Sequence, residues 1–201
     1  MSRALSSLLA YFTPLASEVH RDAGGVTLLT PETNILALNA TYCEASCPAQ
    51  PRSPLLVGTQ VLPGRDVGGL RVGVYEPRPE DSKIVVEQVS RLQFATWAGV
   101  LAEAYDTPAW AGPIARHLGQ KLEGDIQSVL LLAYGASETL GALLWREGQA
   151  HLWGTLDGAV DVPLLNAAAE LASSPLLVSV PDQSRVAVQE AEIVTFTLTG
   201  P

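Results

Sequence analysis

Residues 128–155 read SVLLLAYGASETLGALLWREGQAHLWGT, and the reading of this stretch decides the fold. Three apolar, β-rich runs, SVLLLAYG, TLGALLWREG and AHLWGTLDG, follow one another with turn residues between them, and Gly148-Gln149 supplies a tight reversal between the second and third. The pattern predicts two or three neighbouring antiparallel strands that bury one face against helices.

Upstream, IVVEQVS reads as a strand. Leu92, Ala95, Trp97, Ala98, Leu101, Ala102 and Tyr105 then recur at helical spacing, predicting a helix over 90–105 that Thr107-Pro108 breaks. Pro113 fits the first turn of the next helix, IARHLGQKLEG, because an early helical N–H has no intrahelical acceptor to lose. Downstream, VPLLNAAAELA predicts a helix with Asp161 as a possible cap and Pro163 inside its first turn. PLLVSVP and AEIVTFTLTG close the chain as strands, and the polar DQSRVAVQ between them is too short and β-branched for a long helix. From residue 84 onward the predicted order is β-α-α-β-β-β-α-β-β.

The first part of the chain is more broken. Leu5, Leu8, Leu9, Phe12 and Leu15 predict an amphipathic helix over 3–19. Gly24-Gly25 punctuates the chain before VTLL, and the alternation in NILALNATY predicts a strand over 34–42, with Asn39 able to tie it to another strand. EASCPAQPRSP is a solvent-facing connection, and LLVGTQVL and LRVGVYEP are strand candidates separated by PGRDVGG. The charged, proline-rich EPRPEDSK at 76–83 is the best internal boundary, dividing an N-terminal α/β annex (1–75) from a domain at 84–201. The annex helix needs an apolar partner, so the two parts are expected to act as one cooperative unit.

Composition bounds the function. The chain has 201 residues, 47% of them apolar and 16% charged, which favours a folded core over disorder. Its net charge of -9 opposes association with a phosphate backbone and provides no polybasic membrane patch, so neither nucleic acid nor membrane is an expected partner. The opening apolar run is interrupted by Pro14, Glu18 and His20, and a soluble, cytoplasmic protein is expected. Cys43 and Cys47 have no second pair to complete a zinc set; a free thiol pair is expected over a local disulfide. His20, His117 and His151 are dispersed, His117 is expected at the surface, and no metal is expected.

The element order, with IVVEQVS, LLLAYG, TLGALLWREG and AHLWGTLDG, resembles the GNAT-like N-acetyltransferase superfamily, whose members transfer an acyl group from coenzyme A to an amine. The resemblance covers about 84–198 and implies a fold class of α/β (α+β), an acetyltransferase-like mixed sheet flanked by helices. It also implies acetyl-CoA or CoA as a possible cofactor. The preceding part is similar to the N-terminal extension of some acetyltransferase-like proteins. The family's glycine-rich turn after its fourth strand points backbone N–H groups at the coenzyme diphosphate. Here that position reads WGTLDGAVDVPLLNAA, so Gly154, Thr155, Leu156 and Gly158 are the implied cofactor residues. Asp157 and Asp161 stand among them with no basic residue nearby, and carboxylates repel a diphosphate. The family often carries a tyrosine after its fifth strand to protonate the departing thiolate, and 182–191 has none.

Glu138, Glu147 and His151 flank the meander and are the acid-base candidates; the competing reading puts the glutamates at hairpin ends and His151 at a strand start. Tyr134, Trp145 and Trp153 either line a substrate cleft or pack across strands. No GxSxG elbow, GxGxxG turn or GxxxxGK[ST] loop occurs, which argues against hydrolase, dehydrogenase and P-loop chemistry. Two functions follow: an acetyltransferase-like enzyme acting on an unidentified amine, or a non-catalytic descendant that binds a small molecule or protein.

Overall fold

The structure, a computed structural model, describes residues 1–44, 46–136, 138–172 and 174–200. The chain divides into two compact units. The first comprises Met1–Gly73, Ser179–Arg185 and Glu190–Pro201, and the second Val74–Val178 and Val186–Gln189. Each is a mixed α/β assembly.

The first unit opens with α1 (Arg3–Phe12), where the Ser2 hydroxyl accepts the Leu5 N–H at 3.2 Å as an N-cap. Leu5, Leu8, Phe12 and Leu15 are buried as the periodicity requires. The helix is shorter than the predicted 3–19 span. Pro14 starts a 3-10 turn at Thr13–Leu15, and the chain then enters β1 (Glu18–Asp22), antiparallel to β2 (Gly25–Leu29). β1 is polar and mostly exposed, so no apolar alternation announced it.

The expected strand over 34–42 is also corrected. Leu36–Leu38 forms a 3-10 turn, and only β3 (Thr41–Cys43) is extended. Asn39 explains the difference: its Oδ1 accepts the Thr30 N–H at 2.9 Å, while Nδ2 donates to the Thr33 and Ile35 carbonyls at 3.0 and 3.2 Å. A side chain thereby takes the place of a strand ladder, holding its own loop instead of tying it to another strand. Cys43 and Cys47 form a disulfide, against the expected free thiols, with Cα atoms 4.7 Å apart and Cys43 packed on Leu56 and Leu62.

β4 (Leu55–Gly58) is shorter than LLVGTQVL suggested, and β5 (Arg65–Tyr75) is longer, absorbing the RDVGG that read as a separator. Gly69 serves close approach here: the Asp182 N–H donates to its carbonyl at 3.2 Å, and a Cβ would collide with the Asp182 carboxylate. With β11 (Gln189–Leu198), the strand order in this unit is β1-β2-β3-β4-β11-β5.

The second unit follows the predicted order closely. It contains β6 (Val85–Val89), α2 (Phe94–Ala104), α3 (Ala111–Lys121), β7 (Ser128–Gly135), β8 (Glu138–Arg146), β9 (Gln149–Thr155), α4 (Asp161–Glu170) and the start of β10 (Leu176–Pro181). Its strand order is β10-β9-β8-β7-β6, antiparallel from β9 to β6 and parallel between β9 and β10. The β8–β9 reversal sits at Glu147-Gly148, one residue before the predicted place, with φ of 49° and 77°. Positive φ at both positions gives the primed turn that matches strand twist.

Two glycines show how the sheet is covered. A Cβ on Gly141 would lie 2.9 Å from Val160, just before α4, and one on the paired strand's Gly154 would lie 2.8 Å from Ala104 at the end of α2. Gly141 pairs with Thr155 and Ala142 with Gly154, so α2 and α4 cover opposite faces. Trp97, Leu101, Leu132, Leu144, Leu164 and Leu165 fill the layers between, and the Trp97 indole donates to the Leu143 carbonyl at 3.1 Å. His117 is buried on α3 with Ile114 and Leu118, contrary to its expected surface position, because it shares their helical face.

Candidate functional site

The implied cofactor segment lies where β9 leaves the sheet. The Leu156 N–H donates to the Leu140 carbonyl at 2.8 Å, and Gly158–Val160 then forms a 3-10 turn leading into α4. The Leu156, Ala159, Val160 and Asp161 N–H groups have internal acceptors. The Asp157 carboxylate accepts from the Ala159 N–H at 2.9 Å, the Asp157 carbonyl accepts from Val160, and the Gly158 carbonyl accepts from Asp161. Asp161, expected as the cap, is instead the first residue of α4, and its carboxylate accepts the Thr155 hydroxyl at 2.5 Å.

These residues do not fit a diphosphate. The Asp157 carboxylate already occupies the Ala159 N–H, and the Asp161 carboxylate closes the same turn from the helix side, so an incoming anion would meet two like charges and lose that donor. Burial raises the Asp161 pKa above its ordinary value; the nearby Asp157 charge raises it further, against the Thr155 hydrogen bond. Gly154 serves packing against Ala104, whereas a Cβ on Gly158 would meet nothing within 4 Å. Leu156 is exposed.

The acid-base candidates are not brought together. Glu138 and Glu147 are both exposed and bracket the whole of β8, separated by about 30 Å at strand rise. Only Glu138 shares the end of the meander at which Thr155 and α4 lie. His151 is buried in β9 with Nε2 3.1 Å from the Gln149 Oε1. Burial pushes its pKa down to about 3, so the ring is neutral at ordinary pH and a weak proton acceptor.

The aromatic candidates stand on three successive strands, β7, β8 and β9. Trp153 pairs with Leu143 on the face that α4 covers. Tyr134 pairs with Thr139, just past an irregularity in the β7–β8 register at Ala133/Tyr134. Trp145 pairs with Val129, and its indole Nε1 is buried with no hydrogen-bond partner among the described residues. One aromatic contact was missed in the sequence: the Tyr105 hydroxyl donates to the Trp153 carbonyl at 2.7 Å. Tyr105 ends the α2 periodicity and precedes a proline break, but no spacing rule connects it to β9.

Among the described residues, no group of three His, Cys, Asp or Glu side chains is placed to hold a metal ion, and no helix is long and apolar enough to cross a membrane.

No family model matches the sequence, and no curated protein matches it significantly. Solved structures do. A GCN5-related N-acetyltransferase from Kribbella flavida superposes with a TM-score of 0.58 at 14% identity, covering 100% of this chain and 97% of that one. A conserved protein of unknown function from Staphylococcus epidermidis superposes with a TM-score of 0.55 at 13% identity, covering 92% and 95%. The chain has a GNAT-like, acetyltransferase-type fold.

Proposed function

We propose that this chain is a non-catalytic binding protein built on the acetyltransferase fold, taking a small molecule or a protein instead of transferring an acyl group. One observation carries this reading: the Ala159 N–H, at the place where the family meets the coenzyme diphosphate, is held by the chain's own Asp157 carboxylate. The buried, weakly basic His151 and the widely spaced glutamates agree with it, since none offers a base beside an acceptor amine. A fold alone does not assign chemistry.

Acyl transfer from acetyl-CoA to an unidentified amine is the second reading. It is favoured by the parallel register between β9 and β10, which covers Leu177↔Gln149 and Val178↔Ala150; a short parallel contact suits the family's parting of its fourth and fifth strands.

Isothermal titration of the folded chain with acetyl-CoA and CoA separates the two. The binding-protein reading expects no saturable heat up to about 1 mM ligand, a limit equivalent to roughly -4 kcal/mol. Saturable binding together with turnover of an amine acceptor would overturn it.

A further inference from the structure

At the end of β9 away from α4, the second unit has a half-open pocket of about 280 Å³ lined by Gln88, Val89, Arg91, Ser128, Val129 and Leu130. The pairings Val89↔Leu130, Ser128↔Arg146 and Arg146↔Gln149 place it beside the β8–β9 reversal. Thr155 is six residues further along β9, about 20 Å away. The pocket is therefore distinct from the turn at Asp157, and its reading stands whatever becomes of coenzyme binding.

Two arginines reach this corner, and they differ in how their charge is met. Arg146, itself buried, donates from Nε to the Ser128 hydroxyl at 3.1 Å and lies 3.5 Å from the Asp125 carboxylate. That carboxylate is committed: it also accepts the Ser128 hydroxyl at 2.7 Å and the Gln127 N–H at 2.8 Å. Among the described residues Arg91 has only neutral acceptors, donating from Nη2 to the Asp125 and Ser128 carbonyls. Its Nη1 is buried with no hydrogen-bond partner, and among the described residues Arg91 makes no ion pair.

A partly buried guanidinium without a carboxylate leaves a charge that an anionic oxygen would satisfy in a charge-assisted hydrogen bond. The rest of the wall is mixed. Val89, Val129 and Leu130 supply apolar surface, while Gln88 and Ser128 are polar. With a chain charge of -9, general attraction does not explain anion selection; the local guanidinium must supply it.

We propose that this pocket binds a small aliphatic carboxylate, with the acid group on Arg91 and the hydrocarbon against Val89, Val129 and Leu130. Its volume suits an acid of about four to six carbons.

The test is a titration of the full chain followed in ¹H–¹⁵N spectra, using hexanoate, its neutral methyl ester and inorganic phosphate. Hexanoate is expected to give saturable shifts at the Arg91, Ser128 and Val129 amides below about 20 mM. The ester and phosphate should each bind at least tenfold more weakly. Arg91→Gln should weaken hexanoate tenfold or more, and Val129→Phe should also weaken it by filling the pocket with the guanidinium in place. Absence of a saturable hexanoate response, or an equal response to the ester, overturns the proposal. Phosphate binding as tight as hexanoate overturns the aliphatic assignment. If Arg91→Gln fails to fold, the acid-against-ester comparison on the unaltered chain decides.

Discussion

The Thr155 hydroxyl donates to the Asp161 carboxylate at 2.5 Å, joining the last residue of β9 to the first residue of α4. It fastens the turn between them from the helix side.

Thr155→Val should cost about 1 kcal/mol near neutral pH, less than a hydrogen bond to a fully buried charged group, because Asp161 remains partly solvated. The pH dependence gives a second readout. Because the folded-state Asp161 pKa is raised, its protonated form is favoured on folding, and stability from this group falls as pH rises from the ordinary aspartate value through the folded one. Asp161→Asn should remove that slope. Urea unfolding of both variants across this window checks it; an unchanged slope in Asp161→Asn would exclude the assignment.

The glycines of the same segment should respond unequally. Gly154→Val places a Cβ 2.8 Å from Ala104 and should cost about 1–3 kcal/mol through overpacking. Gly158→Ala meets open space and should be neutral or stabilising by up to about 1 kcal/mol through the unfolded chain. Thermal unfolding ranks them. Equal losses at the two sites would contradict packing as the reason for Gly154.

The meander was legible because its apolar runs, turn residues and flanking helices all implied the same arrangement. Trp97, Leu101, Leu143 and Leu144 are buried where their periodicities placed them. The annex was less legible for physical reasons. Asn39 satisfies three backbone groups through its side chain, so an alternating run became a turn; β1 is polar, so its strand carried no apolar signal. At the candidate site residue types could be read in order, and the aspartates at 157 and 161 were visible as charges. Which N–H groups they occupy depends on the turn geometry. Arg91 and Asp125 lie 34 positions apart and meet through a backbone carbonyl, a contact no local motif announces.

Asp125 should govern the acid limit of the second unit. Burial alone would raise its pKa, but the Ser128 hydroxyl, the Gln127 N–H and the Arg146 guanidinium outweigh that and hold it below the ordinary value. A depressed carboxylate contributes stability above its unfolded pKa and loses it as pH falls through the folded one. The loss should therefore appear below about pH 4. Asp125→Asn should flatten this acid limb and cost about 2 kcal/mol at neutral pH, since buried Arg146 loses its charge partner. Denaturant midpoints measured against pH test both parts; a variant that keeps the acid limb would assign it to another group.

A fragment of residues 84–201 should be less stable and less soluble than the full chain. Its last strand, β11, loses β4, to which it is antiparallel through Thr195↔Gly58, Phe196↔Val57, Thr197↔Leu56 and Leu198↔Leu55. The backbone groups of that ladder would then face solvent or another copy, a template for edge-to-edge association. Val194 and Phe196, both buried in the intact chain, stand on this strand. At about 25 cal/mol per Å² of apolar surface, exposing a few such side chains costs several kcal/mol, comparable to the net stability of a small domain. The expected result is a lower unfolding temperature with concentration-dependent association, read by calorimetry and light scattering. A monodisperse fragment that unfolds at the full-length temperature would show that residues 84–201 do not need the first 83.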